Sequence, residues 1–250
     1  MDPINAIVLA VVQGLSEFLP ISSSGHLILI PHFLGWADQG LAFDVAVHVG
    51  TLAALVAYFR REILAMTAAW FGSVFRGRHT PDSRLAWQVL VGTIPVGLTG
   101  LLAGDWIESH LRNPLFVAGT LSFFGILMYL ADRTSRGTRN EHELSWGQAL
   151  AIGCAQALAL MPGTSRSGAA RFSFLLAIPG IGAAGAYEGL KVATSPVAMD
   201  LSAMAIGIVC SALAGLACIH FLIRFIERIG LLPFTIYRLL VAAVIVWHFA

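Results

Sequence analysis

Long apolar stretches separated by short polar runs dominate the chain. Residues 41–59, 85–104, 114–131, 202–223 and 232–249 each form an apolar run long enough to cross about 30 Å of hydrocarbon as a helix. The segment 174–193 is a sixth, weaker candidate, rich in glycine and ending near Glu188 and Lys191. Residues 62–75 read as an amphipathic or short membrane helix. Three further apolar stretches, 4–19, 26–35 and 145–161, are short and interrupted by Pro20, Pro31 and Pro162. Proline removes a backbone donor and breaks the helix, so these segments read as re-entrant half-helices.

Two of the interruptions carry the same polar phrase. Residues 13–26 read QGLSEFLPISSSGH and residues 156–168 read QALALMPGTSRSG. In each, a Gln precedes a Gly by 12 positions, with Leu two residues after the Gln and a Ser-containing turn before the Gly. The phrases recur at an offset of 143 residues, which divides the chain into two related halves. Polar breaks at matched places in two halves point to a site built between them.

Loop charge orients the halves. Arg60, Arg61, Arg76, Arg78 and Arg84 lie between the 41–59 and 85–104 runs, Arg133, Arg136 and Arg139 follow 114–131, and Arg224 and Arg228 follow 202–223. The loops 36–40, 105–113 and 194–201 hold Arg112 against Asp38, Asp105, Glu108 and Asp200. Placing the basic loops in the cytoplasm gives the two phrases opposite entry directions. The predicted architecture is all-α: a polytopic membrane helical bundle with two inverted repeats, each containing a broken re-entrant helix segment. It forms a single integral membrane domain over 1–250, with repeats at about 1–131 and about 145–250.

Composition agrees. The chain of 250 residues is 57% hydrophobic and 12% charged, with mean hydropathy +0.79. Soluble domains carry about 25% charged residues. A net charge of +1 gives no field for nucleic acid. Cys154, Cys210 and Cys218 lie in apolar runs without zinc-ligand spacing and read as small membrane-core residues. Residues 1–15 lack the basic leader of a cleavable signal. Trp36, Trp70, Trp106, Trp146 and Trp247 fall at predicted span ends, as interfacial aromatics do.

Chemistry concentrates in the two phrases. Gln13 and Glu17 are one helical turn apart and share a face. An ionised carboxylate at mid-membrane costs about 2.5–3.5 kcal/mol, which a metal ion, an arginine or water must offset. Pro20 then ends or opens a helix, and Ser22, Ser23 and Ser24 are placed to cap the next one before Gly25. Such a turn offers backbone N–H groups to an oxyanion such as phosphate. His26 is nucleophile, acid or base in this reading. The second phrase, Pro162-Gly163-Thr164-Ser165-Arg166-Ser167-Gly168, adds a cation, and the guanidinium fork of Arg166 suits phosphate. The bland alternatives are an interfacial glutamate, an ordinary serine-capped helix start and a snorkelling arginine. The repetition argues against all three.

Other residues carry weaker signals. Asp44 and His48 share a helix face and read first as a structural polar pair. Arg171 either serves the site or marks an interface. Glu188 and Lys191 read as membrane-edge residues, and Glu141-His142-Glu143 as a solvated loop without metal-ligand spacing.

Taken together, QGLSEFLPISSSGHL, AFDVAVHVGT, PGTSRSG and RFSFLLAIP resemble the bacterial undecaprenyl-diphosphate phosphatase family of the bacitracin-resistance type, over nearly the whole chain. By that resemblance, the Glu/Gln-x-x-x-Glu motif is Gln13 and Glu17, the Ser-Ser-x-Gly-His motif is Ser22 to His26, and Arg166 is the phosphate-binding arginine. The resemblance implies hydrolysis of a C55 polyprenyl diphosphate with a divalent cation, Mg²⁺ or Ca²⁺, to recycle the lipid carrier of peptidoglycan synthesis. It implies a multi-pass protein of the bacterial plasma membrane, with its site facing the outer side.

In the resulting assignment Glu17, His26, Ser23 and Arg166 are catalytic. Ser22, Ser24, Gly25, Gly163, Thr164, Ser165 and Ser167 bind substrate, and Gln13 and Glu17 hold the metal. The partners are the lipid substrate and membrane lipids, with a second copy of the chain as a further candidate. A polyprenyl-phosphate flippase using the same site without hydrolysis is the alternative, since broken helices in inverted repeats also build transporters. One departure stands out. Gly25 precedes Phe43 by 18 positions, whereas Gly168 precedes the matching Phe172 by 4. The return arm of the second hairpin, about fourteen residues, is missing. That bears on where Arg166 and Arg171 sit and on membrane parity beyond 168.

Overall fold

The computed structural model describes residues 1–110, 114–134, 140–154, 166–194 and 200–249. Among these residues there are ten α-helices, one short 3₁₀ turn and no strand. The helices are α1 (Pro3–Ser16), α2 (Ser23–Leu34), α3 (Gly40–Tyr58), α4 (Arg60–Arg76), α5 (Pro81–His110), α6 (Pro114–Thr134), α7 (Trp146–Cys154), α8 (Arg166–Thr194), α9 (Leu201–Ile229) and α10 (Leu232–Phe249). The all-α expectation therefore holds. Five of them are long and apolar enough to cross a membrane: α3, α6, α8, α9 and α10. The predicted run 85–104 lies inside α5.

In these five, only 22–39% of each apolar window is buried within the molecule. Large apolar side chains such as Leu213, Phe221 and Leu240 face outward. In water that would be a continuous apolar surface; in a bilayer it is the lipid face.

The short segments follow their sequence signals. α1 starts behind Asp2, whose carboxylate accepts the Ile4 N–H at 2.7 Å, with Pro3 at the first helical position. α2 ends at Gly35, whose φ of +66° lets the chain turn. The segment expected over 174–193 begins earlier, because α8 runs unbroken from Arg166 through Pro179 to Thr194. The first half-helix pair is thus resolved as α1 and α2. In the second half, residues 155–165 of the stretch 145–161 and its turn lie outside the described residues.

The chain forms two compact units, each drawing on both halves of the sequence. Unit 1 comprises Met1–Tyr58 and Ile178–Leu222. Its core gathers Ala6, Leu9, Ala10, Leu27, Phe43, Val47 and Ala203 from α1, α2, α3 and α9. Small residues let these helices close up: a Cβ added to Gly14 would lie 2.6 Å from the Ser211 carbonyl oxygen. Unit 2 comprises Phe59–Ala177 and Ile223–Ala250. There α10 packs along α6, and α5 packs on α4 and α7. The buried Arg238 of α10 donates its Nε–H to the Leu121 carbonyl at 3.2 Å, so its charge meets backbone dipoles inside the unit.

Candidate active site

The first polar phrase lies entirely in unit 1. α1 carries Gln13 and Glu17 on one face, as their spacing requires. Gln13 is fully buried, and its Nε2–H donates to Glu17 Oε2 at 2.8 Å. Its Oε1 is also buried and has no hydrogen-bond partner. Glu17 is the C-cap of α1, its side chain 14% exposed. The chain then turns: the Leu19 N–H reaches the Leu15 carbonyl at 3.2 Å and the Ile21 N–H reaches the Leu19 carbonyl at 2.7 Å.

Ser22 closes the turn at φ +74°, the one positive-φ residue other than glycine among the described residues. A side chain in that region is strained. Ser22 is the N-cap of α2 by position, but its side chain makes no capping hydrogen bond, contrary to expectation. Its hydroxyl is exposed and, with those of Ser23 and Ser24, lies in the first turn of α2. Its carbonyl is used instead, receiving His26 Nδ1 at 2.7 Å. A carbonyl oxygen has no proton to give, so Nδ1 carries the hydrogen in this bond. Gly25 and His26 are buried.

α3 contributes a residue whose sequence pattern reads as structural. His48 Nε2 lies 3.8 Å from Glu17 Oε2, while its Nδ1 donates to the Asp44 carbonyl at 2.7 Å. The Asp44 carboxylate takes a different partner, the Gln39 Nε2–H at 2.8 Å. The signal in the sequence is the shared face of Asp44 and His48; nothing in the spacing shows that α3 lays that face against Glu17.

In the second phrase, Gly163, Thr164 and Ser165 lie outside the described residues. Arg166 and Ser167 open α8 in unit 2. Both meet carboxylates there. Arg166 Nε–H donates to Asp132 Oδ1, and its NH1 donates to the Glu227 carbonyl at 3.1 Å. The Ser167 N–H and hydroxyl both donate to Glu227 Oε1 at 2.8 Å. A carboxylate on the first turn of a helix is favoured by the free N–H groups and the dipole. Asp132 is itself buried and anchored by the Leu231 N–H at 3.2 Å. The second phrase thus builds an anion-binding helix start, and the anions it binds in this structure are Asp132 and Glu227.

The family profile described as "Bacitracin resistance protein BacA" matches residues 6–244. The chain belongs to the bacitracin resistance protein BacA family. A relative from Stutzerimonas stutzeri, named "Undecaprenyl-diphosphatase 2", is 53% identical over 100% of this chain and 99% of its own. "Undecaprenyl-diphosphatase" of Nitrosococcus oceani is 49% identical over the full length of both. The protein of the same name from Teredinibacter turnerae is 49% identical over 98% of each. The first alignment extends over 268 positions, more than the 250 residues of this chain. With five spanning-length helices, this BacA-family chain is a multi-pass membrane protein.

The remaining charged residues now have places. Arg171 is a clamp within unit 2: Nε–H to Glu141 at 2.6 Å, NH2 to Glu62 at 2.9 Å, and the guanidinium 5.4 Å from the centre of the Phe59 ring. Glu141 is accordingly a half-buried ion-pair partner rather than part of a solvated loop. His142 beside it lies 3.7 Å from Asp82.

Proposed function

We propose that this chain hydrolyses undecaprenyl diphosphate to undecaprenyl phosphate and inorganic phosphate, renewing the lipid carrier for cell-wall synthesis. The observation that carries the reading is the break between α1 and α2. There a part-buried amide–carboxylate pair, three serines and a histidine anchored through Nδ1 follow one another within residues 13–26 of a chain belonging to this family.

The residues fit a hard divalent cation, Mg²⁺ or Ca²⁺. Both prefer oxygen donors, and Mg²⁺ sites commonly take one or two protein ligands and complete the shell with substrate phosphate. Gln13 Oε1, buried without a partner, and the Glu17 carboxylate are such donors. When bound, the cation neutralises charge on the diphosphate. Ser22, Ser24 and Gly25 line the phosphate side of the turn, where N–H groups of the α2 start favour an oxyanion.

His26 either attacks the terminal phosphorus through Nε2 or takes the proton of the attacking group, with the Ser23 hydroxyl as the other nucleophile. Attack breaks the bridging P–O bond, undecaprenyl phosphate leaves with that oxygen, and water supplies the hydroxide that ends on inorganic phosphate. From the second phrase, Arg166 with Gly163, Thr164, Ser165 and Ser167 binds the phosphates and stabilises the charge on the leaving group. Phosphate then competes with Asp132 and Glu227 for the same donors. The two halves are inverted repeats, the basic loops lie in the cytoplasm of a bacterium, and the site opens to the outer side of the plasma membrane.

The test is phosphate release from a prenyl diphosphate by purified protein in detergent, with and without a chelator. Wild type releases phosphate and the chelator stops it, while Glu17→Ala loses release. Full activity in Glu17→Ala removes the site assignment. Substrate binding without turnover removes the enzyme and leaves a carrier.

A further inference from the structure

We infer that His48 is a third protein ligand to the cation at Gln13 and Glu17, so that this site has a mixed nitrogen and oxygen donor set. The inference rests on the phosphatase reading and extends it to a residue outside both polar phrases.

The geometry of His48 suits a metal ligand. Its Nδ1–H is spent on the Asp44 carbonyl at 2.7 Å, which fixes the ring plane and leaves Nε2 as the donor atom. Metal-bound histidines characteristically have their second nitrogen held in this way. Nε2 faces Glu17 Oε2 at 3.8 Å. That is too long for a hydrogen bond. Two donors each about 2.0–2.4 Å from one ion lie about 3–4 Å apart, so the gap suits a shared cation.

Gln13 completes the set. Its amide N–H donates to the same Glu17 oxygen, and its own Oε1 is buried and unpartnered. Leaving an amide oxygen in that state is unfavourable unless something electropositive reaches it. Among the described residues, no three His, Cys, Asp or Glu side chains form a metal-binding group. The donors here are one carboxylate, one imidazole and one amide, which is a partial shell that phosphate oxygens complete. In the second half the position matching His48, five residues after the Phe, is Ala177. The donor is therefore a property of the first half alone.

An imidazole in the shell shifts preference away from purely oxygen-seeking ions. Fe²⁺ and the later divalent metals gain most from nitrogen, Mn²⁺ less, and Ca²⁺ and Mg²⁺ least. The experiment is Mn²⁺ bound to the detergent-purified full chain without substrate, followed by titration and by pulsed electron paramagnetic resonance. Wild type shows a ¹⁴N imidazole coupling that converts to ¹⁵N when the protein carries ¹⁵N-histidine. His48→Gln still binds Mn²⁺, loses the coupling, and binds Mn²⁺ about tenfold or more weakly, within the 10–100-fold range seen for weakened metal shells. Its Ca²⁺ affinity changes far less.

A wild-type spectrum without histidine nitrogen, or no Mn²⁺ binding, overturns the inference. So does a coupling that survives His48→Gln and vanishes in His26→Gln. If His48→Gln does not fold, labelled wild type and His26→Gln decide alone. Chelator-sensitive phosphate release without a histidine coupling leaves the phosphatase reading standing and removes only the ligand; release indifferent to chelator removes the cation from both.

Discussion

The two polar phrases read alike in the sequence and meet different fates in the fold. After the first, the chain makes a six-residue turn over 17–22, a separate helix α2, and only then the long helix α3. After the second, α8 starts at Arg166 and continues for 29 residues without a break. The difference lies in the length of chain beyond each phrase. Seventeen residues stand between Gly25 and Phe43, enough for α2 and a loop; three stand between Gly168 and Phe172, enough for nothing but the first turn of the helix itself. Helix formation is cooperative, so with no Pro or Gly between Arg166 and Phe172 except Gly168, the helix start moves back onto the phrase. The arginine then becomes an N-terminal helix residue. Carboxylates are favoured at such a helix start, and here Asp132 takes Arg166 while Glu227 takes Ser167.

The largest effect expected from this contrast falls on the first phrase. Glu17→Gln keeps the shape of the side chain and removes its charge. Phosphate release should fall by about 100-fold or more, the scale of losing a group that acts on the developing charge. Thermal stability in detergent should stay the same or rise, because a buried carboxylate is no longer desolvated. A variant that loses stability and keeps turnover would make Glu17 structural and erase the distinction between the phrases.

Asp132→Ala probes the second phrase in the opposite sense. Asp132 is buried and accepts from both Arg166 and the Leu231 N–H. Its removal leaves two donors without partners. Because the Arg166 side chain is 28% exposed, water compensates part of the loss, and the cost should be about 1–3 kcal/mol. Asp132→Asn, which retains an acceptor for Leu231, should cost less. Equal unfolding midpoints for wild type and Asp132→Ala in detergent would show that Arg166 is not held there.

Lengthening the chain after the second phrase is the direct way to erase the contrast. Inserting residues 26–39 after Gly168 restores a return arm of fourteen residues. α8 should then start beyond the insert. Arg166 leaves Asp132, and the destabilisation caused by Asp132→Ala shrinks. Phosphate release per molecule should rise several-fold if the short repeat limits how Arg166 meets substrate. An insert that leaves both the Asp132→Ala cost and the rate unchanged would refute the account of why the phrases diverged.

Helix class was legible because apolar runs, prolines and glycines act locally: the start of α1 and the stop of α2 follow residues that bias the backbone where they stand. The Gln13–Glu17 pair was legible for the same reason, since a four-residue spacing on a helix fixes a shared face. His48 was not, because its meeting with Glu17 depends on which face α3 turns to α1. That choice is made by close packing at glycines such as Gly14 and Gly50 against α9, a tertiary effect with no local signature. Glu141 was opaque for a related reason: a charge in a polar loop reads as solvated until its partner, Arg171, arrives from a helix 30 residues away in sequence. The missing return arm was visible by counting, but its consequence for Arg166 needed the partners on α6 and α9.

The smallest effect tests whether the first turn is held by strain or by chemistry. Ser22 adopts φ +74°, a conformation costing a residue with a Cβ about 1–3 kcal/mol, whereas glycine enters it freely at an entropy cost of about 0.5–1 kcal/mol. Ser22→Gly should therefore stabilise the chain by about 1 kcal/mol, raising the unfolding midpoint by about 2–4 °C. The His26 hydrogen bond goes to the Ser22 carbonyl and survives the change. A serine kept in a position that glycine fills better is there for its exposed hydroxyl, so the stabilised variant should bind substrate less well, with a raised KM and little change in kcat. Higher stability with an unchanged KM would mean that the turn needs only its backbone. It would leave Ser23 and Ser24 as the hydroxyls of this phrase that meet substrate.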